Sequence, residues 1–243
     1  MTRCGGQLTG SGLTAMSRIA IVAALEREVR PLIRVWHVSE KEHEGRRFRF
    51  FAEDDVVLIC GGIGAEAARR AAEAIIVLYR PTMLYSVGYA GALEQGLKVG
   101  GLIRPSRLID VRDGSRAEIA GGQGVLVSYA SVASPEQKRK LQKSYGAQAV
   151  DMEAASVARA AQARGIEFAV LKIISDEYDF DFPATGRFVD SEGRFSEIRF
   201  AMFTALRPWL WPKVMRLARN SRCATQALCE ELRKIVTGSG RQA

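Results

Sequence analysis

The first sustained apolar run in the chain is residues 19–24, Ile-Ala-Ile-Val-Ala-Ala. A run of this length without polar alternation predicts a strand covered on both faces, as in a parallel sheet between helical layers. The charged stretch 25–30 follows at once and predicts a helix start. Residues 48–51 and 56–60 read as further strands. Gly61-Gly-Ile-Gly64 then opens a helical pattern over 65–79, stopped by Pro81. Residues 83–87 form another buried strand that runs into Gly88-Tyr-Ala-Gly91. Strands are predicted over 102–111 and 124–128, and a basic helix over 135–144. Ala149-Val-Asp-Met-Glu153 leads into an alanine-rich helix that closes at Gly165, a residue suited to the left-handed turn after a helix. A strand over 168–174 precedes Ser175-Asp176, and 178–193 has no period and reads as a loop. From 195 to 236 the pattern is helical, broken by Arg207-Pro-Trp-Leu-Trp-Pro212. Alternating strands and helices without interruption predict a single three-layer αβα domain with a largely parallel central mixed sheet. Its expected span is 18–237, with 195–237 as a helical C-terminal extension. Residues 1–17, rich in Gly, Ser and Thr, read as a disordered leader, and 238–243 as a disordered tail.

Composition narrows the function. Of 243 residues, 47% are hydrophobic, enough for a sizeable core without disulfides or metal. No run of about 18 apolar residues is present, so no spanning helix is expected and a cytoplasmic location follows. Cys4, Cys60, Cys223 and Cys229 form no CxxC pair, and His37 and His43 are the only histidines, which argues against a zinc site. No cofactor is implied. The net charge of +8 allows nucleic acid, an anionic membrane or an anionic substrate as partner. The excess peaks between Arg199 and Arg233, with no basic motif interleaved with aromatics, which disfavours nucleic acid.

In a chain nearly empty of histidine, acid–base chemistry falls to carboxylates. Glu28, Glu153 and Asp176 stand just beyond the carboxyl ends of predicted strands, where α/β folds place their sites. Cleaving a nucleoside takes a proton for the departing base, stabilisation of a cationic ribosyl transition state, and a nucleophile beneath the sugar. Three carboxylates can serve all three needs. Each also has a plain structural use: Glu153 favours a helix N-terminus, and Asp151 can cap it. Gly61–Gly64 could cradle an anion, but a tight turn with close helix packing is the favoured reading, and it lacks the Lys-Ser/Thr ending of a P-loop.

Together, Ile-Val-Ala-Ala-Leu-Glu-Arg-Glu-Val (21–29), Gly-Gly-Ile-Gly (61–64), Val-Gly-Tyr-Ala-Gly-Ala-Leu (87–93), Val-Asp-Met-Glu-Ala-Ala (150–155) and Ile-Ser-Asp (174–176) resemble the nucleoside phosphorylase and nucleosidase family. That family includes the methylthioadenosine/S-adenosylhomocysteine nucleosidases. The resemblance covers about residues 19–179. It implies a purine nucleoside substrate, a homo-oligomer, and Asp176 as the acid at purine N7, oriented by Ser175. Glu153 would take the ribose hydroxyls, Met152 would pack on the sugar, and Glu28 would activate water. Tyr89, Ala90 and Val132 complete the expected substrate-binding set. Tyr89 stands where relatives carry a small hydroxyl residue, Lys172 where nucleosidases often have arginine, and Asp151 where glutamate is commoner. Ser86 replaces the arginine of the phosphorylase pattern, and Ala23-Ala24 replaces its phosphate-binding glycine turn. Water is therefore favoured over phosphate as nucleophile; a phosphorylase and a non-catalytic nucleoside-binding module are the alternatives.

Arg207-Pro-Trp-Leu-Trp-Pro212 and Leu217-Ala-Arg-Asn-Ser-Arg222 are similar to the tail of hopanoid-associated members of the family. That similarity implies an adenosine with a large apolar 5′ group. Val214, Leu217 and Ala218 are expected on one side of the last helix, Lys213 and Arg216 towards the other. The segment either packs on its own domain or a subunit partner, or makes a peripheral contact with a lipid surface.

Overall fold

The computed structural model describes residues 19–181 and 207–239, with Phe188, Ser196 and Phe203 between them. The expected leader, most of the 178–193 loop and the start of the helical extension lie outside the described residues.

The elements are β1 (Ile19–Ala23), α1 (Glu26–Ile33), β2 (His37–His43), β3 (Arg46–Glu53), β4 (Val56–Cys60), α2 (Ala65–Tyr79) and β5 (Met83–Ala92). There follow β6 (Leu102–Ile103), β7 (Arg107–Asp110), β8 (Arg116–Glu118), β9 (Val125–Ser128), α3 (Pro135–Tyr145) and β10 (Ala149–Asp151). Last come α4 (Ala154–Gln162), β11 (Glu167–Asp176), a 3-10 turn (Pro208–Leu210) and α5 (Trp211–Ser239). One mixed sheet runs β2-β3-β4-β1-β5-β10-β9-β7-β8, with β11 on β5 and β6 on β11. Pairing is parallel from β4 through β1 to β5 and between β5 and β11. It is antiparallel where β10 meets β5 and along the hairpins β2–β3 and β7–β8.

The continuous apolar run of β1 is explained by cover on both faces. Ile21 packs with Leu32, Trp36, Leu58, Leu228 and Leu232, on the side of α1 and α5. Ala20 and Val22 pack on the opposite side with Ile75, Ala72 and Val157 from α2 and α4. The alanines of α2 allow that layer to lie close. A side chain at Gly61 would come within 2.6 Å of Ala71 Cβ, so this glycine serves close helix packing.

Several boundaries differ from the expectation. The β5 strand continues through Gly88-Tyr-Ala-Gly91, because β11 pairs with it all the way to Gly91. The 102–111 segment is two short strands, β6 and β7, on different partners. The polar β2 strand, His-Val-Ser-Glu-Lys-Glu-His, is the solvated edge of the sheet and carries no apolar alternation. The helix before Gly165 ends at Gln162, and Gly165 takes the left-handed conformation in the turn that follows (φ +63°). The last helix runs on to Ser239, through the start of the expected tail. Ala218 is exposed; the inward line is Val214, Leu217, Ser221, Ala224 and Leu228, at helical spacing.

Candidate active site

The carboxyl ends of β1, β5, β10 and β11 open into one cleft of about 470 Å³. Glu28, Tyr89, Ala90, Val132, Met152, Glu153, Ser175 and Asp176 all line it. The structure thus brings together the expected acid–base and substrate-binding residues, while Lys172, Ser86 and Ala23 are not among the lining residues.

Glu28 enters from the first turn of α1, only 5% exposed. It lies over the backbone of Gly88, where an added Cβ would sit 2.9 Å from Glu28 Oε2. Gly88 also has φ +135°, a conformation side chains rarely adopt, so this position requires glycine twice over. Glu28 Oε2 is buried without a hydrogen-bond partner. Burial, reinforced by Glu153, pushes its carboxyl from 4.5 up to about 8 against the lowering pull of Lys172 and Arg27.

Glu153 stands at the start of α4. Its Oε1 accepts from Gly64 N–H at 2.8 Å and its Oε2 from Met152 N–H at 3.3 Å. The glycine turn before α2 therefore points an N–H at the protein's own carboxylate. Burial raises the Glu153 pKa, with Lys172 opposing. Behind it, Lys172 Nζ meets Asp151 Oδ2 at 2.9 Å, both side chains essentially inaccessible. Asp151 also accepts from Ser128 Oγ (2.6 Å) and Ala154 N–H (2.8 Å), so it satisfies the first N–H of α4, although Glu153 and not Asp151 occupies the N-cap position. Burial works against the Lys172 ammonium, but Asp151, Glu153 and Glu28 together outweigh it and raise its pKa.

Asp176 ends β11, just past a register shift between Ile174 and Asp176. Its Oδ1 accepts from Ser175 Oγ at 2.8 Å, and Ser175 also reaches Ala90 O at 3.4 Å. A Cβ at Gly91 would lie 2.9 Å from Asp176 Oδ2. Asp176 pairs with Lys138 of α3, a residue the sequence pattern left in an ordinary basic helix. The available signal was its position three residues before Leu141, the other buried side chain of that helix.

Tyr89 does not turn its hydroxyl into the cleft. The phenol exchanges a hydrogen bond with Thr225 Oγ1 (2.6 Å) and donates to Ser221 O (3.1 Å), tying β5 to α5. Burial pushes this phenol's pKa up. Leu217 and Ser221 of α5 and the buried Phe180 form the remaining wall. Among the described residues, no cluster of three or more His, Cys, Asp or Glu side chains is placed to hold a metal ion.

The arrangement has the parts of a glycosidic-bond enzyme, and the comparisons define its class. The chain matches the phosphorylase superfamily over residues 18–143 and 122–206, and it belongs to that family. Within it, the protein is an enzyme of the nucleosidase and nucleoside phosphorylase type. It is 26% identical over 199 residues to the 5′-methylthioadenosine/S-adenosylhomocysteine nucleosidase of Buchnera aphidicola, covering 67% of this chain and 86% of that one. The nucleosidase of the same name from Actinobacillus succinogenes is 26% identical over 203 residues, covering 67% and 86%. Among solved structures, the Helicobacter pylori nucleosidase in complex with a substituted pyrrolidin-3-ol superposes with TM-score 0.69 at 20% identity, covering 92% and 99%. The Neisseria meningitidis nucleosidase with methylthio-immucillin-A gives 0.68 at 19% identity, covering 91% and 99%.

Proposed function

We propose that the protein hydrolyses the N-glycosidic bond of an adenosine-type nucleoside bearing a large apolar 5′ substituent, releasing the base. The observation that carries this reading is the unpartnered, buried Glu28 Oε2, facing the same cleft as Glu153 and Asp176. A carboxylate left without a partner is poised to take a proton from water. Asp176, oriented by Ser175, serves the departing base; Glu153 binds the ribose hydroxyls; Met152, Ala90 and Val132 pack on the substrate. Water is favoured over phosphate because the Gly64 N–H already meets Glu153 and the Ser86 and Ala23-Ala24 positions offer an anion little.

The 5′ preference is supported by Leu217 and Phe180 at one wall of the cleft and by the surface of α5 beyond it. Trp209 is 70% and Met215 71% exposed, beside exposed Lys213, Arg216 and Arg219. Exposed apolar groups on a stretch that also carries cations, with Lys213 paired to Asp181 and Arg216 to Glu177, suit an anionic lipid surface, from which a lipid-linked nucleoside could enter. Incubation with 5′-methylthioadenosine and with an adenosine carrying a bulky apolar 5′ group, with and without phosphate, tests the reading. Free ribose-type product in phosphate-free buffer, formed faster from the bulky substrate, is expected. Strict phosphate dependence with a ribose 1-phosphate product would overturn hydrolysis.

A further inference from the structure

Lys138 is placed where neither helix electrostatics nor stability calls for a cation. It lies in the N-terminal half of α3, whose start is fixed by a capping box between Ser134 and Gln137. The positive end of a helix disfavours an ammonium. Its side chain is 1% exposed, and a buried ion pair is a weak device for stability compared with apolar residues of similar volume. Yet Nζ is held by the Asp176 carboxylate and by Glu177 O at 2.7 Å, and it lines the substrate cleft. Gly91 leaves room for this pair: a Cβ there would lie 3.3 Å from Lys138 Cε and 2.9 Å from Asp176 Oδ2.

Resting on the reading of Asp176 given above, we infer that Lys138 is a positioning residue that supplies the proton Asp176 delivers to the departing purine. As the C1′–N9 bond breaks, its electron pair goes to the base. The proton moves from Lys138 Nζ to the Asp176 carboxylate and from there to purine N7, leaving Lys138 neutral. Water adds its hydroxyl to C1′ and gives its proton to Glu28. Exchange with solvent then returns a proton to Lys138 and removes one from Glu28, so each cycle closes without any other co-reactant. Ser175 keeps Asp176 aimed while its partner changes charge.

The test uses two leaving groups. 5′-Methylthioadenosine needs a proton on the base, whereas 4-nitrophenyl β-D-riboside releases a phenolate that needs none. Lys138→Met is expected to lower kcat on methylthioadenosine by about 10²-fold while KM and nitrophenyl riboside cleavage stay within about threefold of the unmodified protein. Lys138→Arg keeps the charge but holds its protons, and it should remain slow on methylthioadenosine alone. Equal losses on both substrates, an unimpaired Lys138→Met, or full recovery in Lys138→Arg would overturn the inference. Asp176→Asn separates the two levels. If it too is unimpaired, the role of Asp176 fails; if it alone is slow, only the role of Lys138 fails.

Discussion

At Glu28 a carboxylate oxygen is kept dry with nothing to bind, and the energetic sign of that arrangement can be worked out. The folded pKa, about 8, lies above the ordinary 4.5, so the native state holds a proton that the unfolded chain has released. The stability associated with that proton is fully present below about pH 4.5 and is lost as pH rises to 8, at up to about 1.4 kcal/mol per pH unit. Glu28→Gln should therefore gain stability relative to the unmodified protein across that window, read as a rise in Tm that grows from pH 5 to pH 8, while hydrolysis disappears. A flat difference in Tm would show that Glu28 is not buried as described. With Glu28 as the proposed base, which must be ionised to act, turnover in the unmodified protein should climb through pH 7 and level off above about 8. Gly88→Ala, which drives a Cβ to 2.9 Å from Glu28 Oε2 on a positive-φ backbone, should cost activity even if the fold survives. At this scale the carboxylates and glycines were legible, because few residue types do acid–base work and few positions demand glycine. Lys138 was not: in a run of lysines and arginines its one distinguishing mark is the helical spacing to Leu141, a weak signal beside so many solvated cations.

Elements are joined at the site by two ion pairs, Lys172–Asp151 and Lys138–Asp176, and by the docking of α5. Lys172 of β11 and Asp151 of β10 neutralise each other behind Glu153. Lys172→Met leaves Asp151 buried with no counter-charge, for which roughly 3–5 kcal/mol of destabilisation is expected in urea titration. It also removes the cation that restrains Glu28; among the charges acting on that carboxyl, Glu153 and Arg27 remain. The rising limb of the pH–rate profile should then move to higher pH, and an unmoved limb would show that Lys172 does not act on Glu28. The hydrogen bond between Tyr89 and Thr225 makes α5 part of the site wall. Tyr89→Phe should cost about 1 kcal/mol and leave the hydrolysis chemistry itself intact. Helices were the most legible elements: α2 begins and ends as its period and Pro81 predict. Strands failed where their partners changed. β5 outlasts its apolar run because β11 accompanies it, and β2 is polar because one edge of it faces water.

Across the whole molecule, the three-layer arrangement followed from apolar runs covered on both faces, and the sheet's mixed margins did not, since hairpin edges carry weaker patterns. No helix among the described residues is long and apolar enough to cross a membrane. Sedimentation with anionic vesicles should recover the protein at low salt and lose it as salt screens Lys213, Arg216 and Arg219. Trp209→Ser with Met215→Ser should weaken the recovery without altering cleavage of methylthioadenosine. Indifference of the unmodified protein to vesicles would leave α5 as a wall of the cleft alone.

The position of α5 also has a consequence for how the protein is made. Glu28, Glu153 and Asp176 all leave the ribosome before residue 211, yet the apolar face formed by Ile21, Leu32 and Trp36 waits for Ala224, Leu228 and Leu232 to cover it. A nascent chain can therefore complete its sheet and its acid–base groups while the layer begun by α1 still lacks α5. Such an intermediate exposes a greasy flank and an unwalled cleft, making it a target for chaperones and proteases. Because α5 supplies Leu217 and Ser221 to the cleft, nucleoside cleavage is expected to start only once the last helix has docked, after synthesis is complete.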